Sequence, residues 1–267
     1  MNAKYNEKSR LIEIEYQYRD VEEANLFRNI FPYNEVPRLV FNHRIVPMNI
    51  PEKLYITDTT FRDGQQSRSP YSVDEICTLF DLLNKLDNGS GIIRQSEFFL
   101  YSKVDRKAVT KCLEKGYEFP QVTAWIRAKK EDFQLVKEIG IKETGILVSC
   151  SDYHIFKKLK MNRSQAMEQY LSIVSAALEA GIIPRCHLED ITRADFYGFV
   201  LPFVNKLMEL SKQAGIPVKI RACDTLGLGV SIPGVALPRS VPQIIYGLIN
   251  YGGVPSEYLE WHGHNDF

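Results

Sequence analysis

A regular alternation of short apolar runs and longer amphipathic stretches begins at Pro51 and most constrains how this 267-residue chain can fold. Seven runs have the length and composition of strands, at 54–58, 91–99, 121–126, 144–149, 182–189, 218–224 and 258–264. Six helix-like stretches lie between them, near 72–86, 105–116, 131–139, 164–180, 195–214 and 242–251. Strands that alternate with helices form βαβ units and a parallel sheet.

A parallel sheet of this kind either closes into an eight-stranded barrel or stays open as a doubly wound sheet. No Gly-x-Gly-x-x-Gly follows the first strand and no P-loop motif occurs, which disfavours a nucleotide-binding sheet. Polar residues instead collect at the ends of several strands, as they do at the mouth of a barrel. We therefore predict an α/β chain whose residues 51–267 form a (β/α)8 barrel, incomplete here because only about seven strands are present.

The first fifty residues lack this rhythm. Residues 11–18 alternate apolar and polar side chains like a half-buried strand, and residues 20–30 predict a short helix. Four prolines punctuate the stretch that follows, at 32, 37, 47 and 51. We predict that residues 1–50 are an N-terminal arm lying on the barrel or on a partner subunit; a poorly ordered leader is the alternative.

Composition excludes several classes of protein. Lys plus Arg and Asp plus Glu each number 33, so the net charge is 0, which argues against nucleic acid or an anionic membrane as the main partner. No apolar run approaches the ~20 residues of a membrane-spanning helix, and no secretory signal is visible at the N-terminus. The five cysteines are widely spaced and include no Cys-x-x-Cys pair. These features predict a reduced, cytoplasmic protein.

Two polar motifs follow the first and the last of the predicted strands. His262 and His264 alternate on the last strand, so both imidazoles face one side, where Asn265 and Asp266 add further polar groups. Asp63 follows the first strand, whose end opens on the same face. One carboxylate and two imidazoles suit a divalent cation that also binds substrate. The alternatives are a structural histidine pair and a surface ion pair between Asp63 and its neighbour Arg62.

These motifs carry a resemblance to a known family. Asp58-x-Thr60-x-Arg62-Asp63-Gly64-x-Gln66, together with His262-x-His264-Asn265-Asp266, resembles the metal-dependent barrel synthases that make 2-isopropylmalate, homocitrate and citramalate, and the related hydroxymethylglutaryl-CoA lyases. The resemblance covers about residues 54–267. The stretches 151–154 and 189–195 are similar to the synthase branch in particular.

The resemblance implies a metal-dependent acyltransferase that condenses acetyl-CoA with a 2-oxoacid and releases CoA. Asp63, His262 and His264 would hold the cation, with Mn²⁺ or Mg²⁺ preferred and Zn²⁺ or Co²⁺ possible. Arg62 would stabilise developing negative charge, and Glu189 would line the site and take part in proton transfer. The family also implies a homodimer.

Two further side chains would contact substrate under the same resemblance: Thr225 would donate to the 2-oxoacid carboxylate, and Gln66 would support the pocket. Arg127 is a third candidate because of its place after the third strand, where it would clamp a carboxylate. Structural alternatives are that Thr225 caps a helix and that Arg127 is a surface residue. The structural alternative for Glu189 is that it forms an ion pair with Arg193 or Arg185.

Position 187 departs from the family pattern, because His187 stands where the synthases commonly have serine. Strand parity places His187 on the same face as Glu189, where a basic side chain would meet a second carboxylate. This favours a dicarboxylic 2-oxoacid such as oxaloacetate and makes the chain most similar to Re-type citrate synthases. The alternative is a packed structural histidine.

Family members continue beyond the seventh strand through an eighth strand and further domains, whereas this sequence stops at Phe267. We therefore expect a fragment of a longer protein, or a chain that needs a partner, which puts activity of this polypeptide alone in doubt. The rival functions are a lyase or aldolase of the same superfamily, a biotin-dependent carboxyltransferase, and a non-catalytic subunit.

Overall fold

The computed structural model describes residues 2–15, 20–26, 28, 38–47 and 50–264, which fall into two compact units divided after Arg38. In the first unit, β1 (Asn2–Asn6) and β2 (Leu11–Glu15) form an antiparallel hairpin. This confirms the predicted strand over 11–15, while 16–19 lie outside the described residues. The predicted helix over 20–30 is wrong for 20–26 and 28, which are irregular and exposed. An isolated helix this short is unstable in water without a surface to pack on.

The second unit begins with a small antiparallel hairpin, β3 (Leu39–Phe41) and β4 (Arg44–Val46). Phe41 is buried against the rings of Tyr246 and Tyr251, with centroids 4.9 and 5.4 Å away. The division of the chain after Arg38 thus groups this hairpin with the barrel strands. The proposed arm over residues 1–50 stays a prediction.

All seven predicted barrel strands are present. They form one parallel sheet in chain order: β5 (Ile56–Asp58), β6 (Ile93–Phe98), β7 (Gln121–Arg127), β8 (Glu143–Ser149), β9 (Ile183–Glu189), β10 (Lys219–Asp224) and β11 (Leu259–Gly263). Among the described residues, β5 and β11 are the two unpaired edges. The sheet is strongly curled, because Glu97 on β6 lies 2.9 Å from Arg221 on β10 across three intervening strands. The prediction of an incomplete barrel is therefore confirmed.

Among the described residues, six α-helices cover the outer face of the sheet, as predicted. They are α1 (Val73–Asp87), α2 (Lys103–Glu114), α3 (Asp132–Ile139), α4 (Arg163–Glu179), α5 (Leu201–Ala214) and α6 (Val241–Asn250). Ser72 caps α1 in a reciprocal capping box with Glu75, as its sequence indicates. The predicted starts at Asp105 and Ser164 are wrong, because Ser102 and Asn162 are the caps and Asp105 is the return partner of Ser102.

Side chains alternate between the two faces of each strand and divide the interior by polarity. Outward-facing apolar residues such as Ile146 and Ile220 pack against the helices and form the main core. Inward-facing positions include charged groups, among them Glu97, Arg185 and Arg221. No helix in the described part of the chain is long and apolar enough to cross a membrane.

Candidate active site

A tight turn after β5 presents Arg62 and Asp63 at the carboxyl ends of the strands. The carbonyl of Thr59 accepts the backbone N–H groups of Arg62 and Asp63 at 3.0 and 2.8 Å. Beneath the turn, the Phe61 ring is buried, and the Gln65 side chain donates to the Phe61 carbonyl at 2.7 Å. The turn is therefore held from below while its two charged residues face the barrel mouth.

Asp63 and His262 face each other across the gap between the first and last strands. Asp63 Oδ2 lies 3.7 Å from His262 Nε2, and the rings of His262 and His264 are 5.2 Å apart. The other Asp63 oxygen pairs with the guanidinium of Arg62. Within the described ranges, no three His, Cys, Asp or Glu side chains converge at metal-binding distance. Asn265 and Asp266 lie outside the described residues.

The donor set nevertheless fits a divalent cation. Asp63 Oδ2, which faces the His262 imidazole, is buried and has no hydrogen-bond partner. Buried polar atoms are normally hydrogen-bonded, so this oxygen is available to bind a cation. Burial lowers the pKa of His262, although the charge of Asp63 opposes this effect. A neutral imidazole keeps the lone pair that a metal ligand needs.

Arg62 is held against aromatic rings. Its guanidinium carbon lies 4.5 Å from the ring centroid of Trp125 on β7 and 5.9 Å from that of Phe99. Its Nε is buried and has no partner. A cation fixed on an aromatic face with a free donor is suited to bind an anionic group at the mouth.

Glu189, at the end of β9, is surrounded by hydrogen-bond donors. It accepts from Ser149 Oγ, lies 2.9 Å from His154 Nδ1, and pairs with Lys158 Nζ at 3.2 Å. Burial by itself would raise the pKa of Glu189, but the Ser149 hydrogen bond and the charges of His154 and Lys158 bring it below its usual value. Glu189 is therefore an anion at neutral pH. The alternative partners considered from sequence are wrong, because Arg193 pairs with Asp190 and Arg185 with Glu97.

His154 is the main site residue that sequence reasoning missed. It lies in the π-helical segment Tyr153–Lys158 that follows β8, and its Nε2 is 3.8 Å from Asp190 Oδ2. In the sequence, residues 151–154 contributed only to the similarity with the synthase branch. The available signal was a histidine just beyond a strand end, the location where barrel sites form.

His187 lies inside the barrel, one inward-facing position below Glu189. Its side chain is 3% exposed and its Nε2, which has no hydrogen-bond partner, is 3.5 Å from Glu97 Oε2. Burial and then the nearby charges of Arg221 and Arg185 hold the pKa of His187 well below its ordinary value. The ring is therefore neutral, so it offers hydrogen-bonding atoms rather than the positive charge on which the sequence argument for a second carboxylate rested.

A largely buried ion network occupies the barrel interior next to His187, and sequence reasoning missed it. Glu97 accepts from Arg185 and Arg221 at 2.9 Å each, and Arg221 also binds both oxygens of Glu260. Burial alone would raise the pKa of Glu260, but Arg221 and Arg185 lower it to about 2. With Lys219 on Glu143 at the bottom, three cations face three carboxylates, so the network is close to electrically neutral.

The other three predicted substrate-binding residues have different surroundings in the structure. Thr225 Oγ1 accepts the backbone N–H of Asp190 at 2.8 Å, which joins the ends of β9 and β10; no described helix begins there, so the helix-cap alternative is wrong. The Arg127 guanidinium donates two 3.0 Å hydrogen bonds to Asp132, so it binds a carboxylate of this chain rather than standing free for a substrate carboxylate. Gln66 is exposed, and its neighbour Gln65 makes the contacts within the turn.

Comparison with known proteins identifies the relatives of this chain. It is 65% identical over 253 residues to the Citrate (Re)-synthase of Clostridium kluyveri, covering 95% of this chain and 56% of the relative. It is 54% identical over 271 residues to the Citrate (Re)-synthase of Syntrophus aciditrophicus, covering 99% of this chain and 43% of the relative. The chain thus spans about half the length of these curated relatives.

Solved structures share the fold. The hydroxymethylglutaryl-CoA lyase from Pseudomonas aeruginosa superposes with a TM-score of 0.56 at 21% identity, over 82% of this chain and 70% of that one. Residues 53–267 match the family model described as HMGL-like. With a curled parallel sheet, an Asp63–His262 pair at its mouth and this match over most of its length, the chain belongs to the HMGL-like family.

Proposed function

We propose that this chain carries the catalytic barrel of a Re-type citrate synthase, an acyltransferase that condenses acetyl-CoA with oxaloacetate. The observation that carries the proposal is the unpartnered Asp63 Oδ2 facing His262 Nε2, with Arg62 beside them at the mouth. The two Citrate (Re)-synthase relatives support the choice of substrate. A homodimer is part of the proposal by analogy with the family.

Asp63, His262 and His264 would hold the metal, which we propose to be Mn²⁺ or Mg²⁺. A bound divalent cation supplies Lewis-acid polarisation of the 2-oxoacid ketone. Arg62 would donate to the oxygens on which negative charge develops, from a position fixed by Trp125. Thr225 and His187 would contact the two ends of the 2-oxoacid.

Proton transfer is assigned to the pair formed by Glu189 and His154. The acetyl-CoA methyl group loses a proton to this pair, and the resulting enolate carbon forms a bond to the ketone carbon of oxaloacetate. The C=O π bond of the ketone opens as this bond forms, and its oxygen takes up the proton from the pair to become the hydroxyl group of citryl-CoA. Water then cleaves the thioester, so that citrate and free CoA thiol leave. Because Glu189 accepts hydrogen bonds from Ser149 and lies 2.9 Å from His154 Nδ1, it also fixes the orientation of that imidazole.

Thiol release from acetyl-CoA tests the proposal. The assay uses Mn²⁺ and, in turn, oxaloacetate, 2-oxoisovalerate, 2-oxoglutarate and pyruvate, with the complete natural polypeptide and with residues 1–267. We expect release with oxaloacetate that falls at least about 100-fold in Asp63→Ala, since even outer partners of metal ligands are worth about 10–100-fold. Asp74→Ala is the matched control, because that side chain is 91% exposed on α1.

A melting experiment separates metal binding from catalysis. Mn²⁺ should raise the melting temperature of the wild type and of Asp74→Ala but not of Asp63→Ala, because a ligand stabilises the state that binds it. Thiol release that is independent of any 2-oxoacid, or unaffected by Asp63→Ala, would contradict the proposal. Release with 2-oxoisovalerate alone would replace citrate synthesis by 2-isopropylmalate synthesis.

A further inference from the structure

Gly145 occupies a position in β8 where backbone conformation does not require glycine. It pairs with Trp125 on β7 and Arg185 on β9 in regular parallel register. It is not one of the described glycines with a positive φ angle. Glycine is therefore required at this position because a side chain would occupy the space in front of the strand.

The imidazole of His187 fills that space. A Cβ atom at Gly145 would lie 2.5 Å from Nε2 and 2.7 Å from Cε1 of the ring, closer than real Cβ contacts allow. The residue paired with His187 on β8 is Leu147, two positions further along the strand. The ring thus leans back over Gly145, toward the barrel interior and away from the mouth.

Glu97 prevents the ring from making room by moving deeper. The same Cβ would lie 3.2 Å from Glu97 Oε2. That carboxylate is fully buried and fixed on both oxygens, by Arg185 and Arg221 at 2.9 Å. Any side chain at position 145 would have to push the His187 ring toward the mouth.

We propose that Gly145 is a specificity-determining residue, because it seats the His187 imidazole as the floor of the 2-oxoacid pocket. The inference rests on the proposed function and deepens it. His187 precedes Glu189 by two residues on β9, which places the floor about 6–7 Å below the end of the strand. A floor made of a polar ring suits a 2-oxoacid with a polar end better than one with a branched alkyl chain.

The pocket is held by both residues together, so neither can be changed independently. A larger residue at 145 displaces the ring into the substrate volume. A small residue at 187 leaves a cavity above Gly145 that the branched alkyl group of a substrate can enter. A small residue at 187 also makes room for a Cβ at 145, so the two substitutions should compensate each other.

The test uses the complete natural polypeptide with Gly145→Ala, His187→Ser, the double variant, and Gly234→Ala as control. Gly234 is exposed, has no positive φ angle, and a Cβ there would meet nothing within 4 Å. Two quantities are measured, the melting temperature with and without oxaloacetate, and kcat/KM for oxaloacetate and for 2-oxoisovalerate.

Gly145→Ala should lower the melting temperature and reduce kcat/KM for oxaloacetate at least tenfold. The double variant should melt close to His187→Ser, and both should shift the ratio of the two kcat/KM values toward 2-oxoisovalerate at least tenfold. Gly234→Ala should behave as wild type. If Gly145→Ala does not fold, His187→Ser and the double variant still carry the test.

An unchanged substrate ratio in His187→Ser, or additive losses of melting temperature in the double variant, would overturn the inference. A wild type that releases no thiol with any 2-oxoacid would instead overturn the proposed function. In that case the oxaloacetate-induced rise in melting temperature decides the inference, because it requires binding and no turnover. The inference is supported if oxaloacetate raises the melting temperature of the wild type, does not raise that of Gly145→Ala, and raises that of the double variant by a different amount. It is contradicted if oxaloacetate raises the melting temperature equally in all variants.

Discussion

Cationic side chains differ widely in how much they stabilise this chain, depending on their burial. Arg221 is 1% exposed and holds Glu97 and Glu260, whereas Lys111 pairs with Asp74 on an open helix surface. Removing one partner of a buried ion network leaves uncompensated charge in a low-dielectric interior. Removing one partner of a surface pair leaves a charge that water still solvates.

We therefore predict that Arg221→Met lowers the free energy of unfolding by about 3–5 kcal/mol. Lys111→Met, which also removes one cation, should cost less than about 1 kcal/mol. Urea denaturation of both variants measures the difference. Equal losses would show that the interior network is more solvated than its burial indicates.

Residue identities at the site could be predicted only where a motif marks them. Asp63 and His262 follow from their positions at strand ends, and the structure brings them together. The ion network could not be predicted, because Glu97 and Arg221 are 124 residues apart and their pairing depends on the curl of the sheet. For Arg127 the position after a strand was misleading. That position alone assigned its side chain to substrate, whereas the structure pairs it with the nearby carboxylate of Asp132.

At the scale of elements, the periodicity of apolar residues predicted the seven barrel strands and the six α-helices among the described residues of the second unit, but not its 3-10 and π-helical segments. Helix starts were predicted less accurately, because a capping residue and the residue that returns its hydrogen bond are both polar, as Ser102 and Asp105 show. Asp132, the first residue of α3, ties that helix to the end of β7 through Arg127 and to the loop before α2 through the Tyr101 hydroxyl at 2.9 Å. Contacts of this kind fix where an element sits.

Asp132 should make the stability of this junction depend on pH. Burial alone would raise its pKa, but hydrogen bonds from Arg127 and Tyr101 hold it below the usual value. The ionised form therefore stabilises the fold above the unfolded pKa of about 3.9, and this is lost as pH falls through the lower native pKa.

Asp132→Asn should thus reduce the free energy of unfolding at pH 7 by about 1.5 kcal/mol, a typical loss for hydrogen bonds to a charged group. The gap from wild type should shrink as pH falls below about 4. Urea melts at pH 7, 5 and 3 test this, with Asp74→Asn as the exposed control. A gap that grows toward pH 3 would contradict the assignment.

On the scale of the whole molecule, the sheet of the second unit has two open edges within the described residues. A groove of about 470 Å³ runs along β5, where Ile56, Leu83, Leu86 and Ile93 line it together with the polar residues 57–60. Leu86 is 73% exposed. Unpaired strand edges beside apolar surface favour pairing between molecules.

Residues 1–267 produced alone should accordingly self-associate at high concentration. Ile56→Lys, a charge placed on the edge strand where the side chain is 55% exposed, should reduce association several-fold. Val104→Lys on α2, 44% exposed, is the matched control and should leave it unchanged. Light scattering over a concentration series measures this; a monomer throughout would refute the prediction.

The sequence by itself determined the class of fold and the polar motifs at the strand ends, because both are local patterns of spacing that any chain with these residues carries. Only the tertiary structure decided which polar groups meet. The curl of the sheet pairs Glu97 with Arg221, the loop after β8 sets His154 against Glu189, and the missing side chain at Gly145 admits the ring of His187. Contacts of this kind depend on distances between strands that are far apart in the chain, and no local pattern encodes those distances.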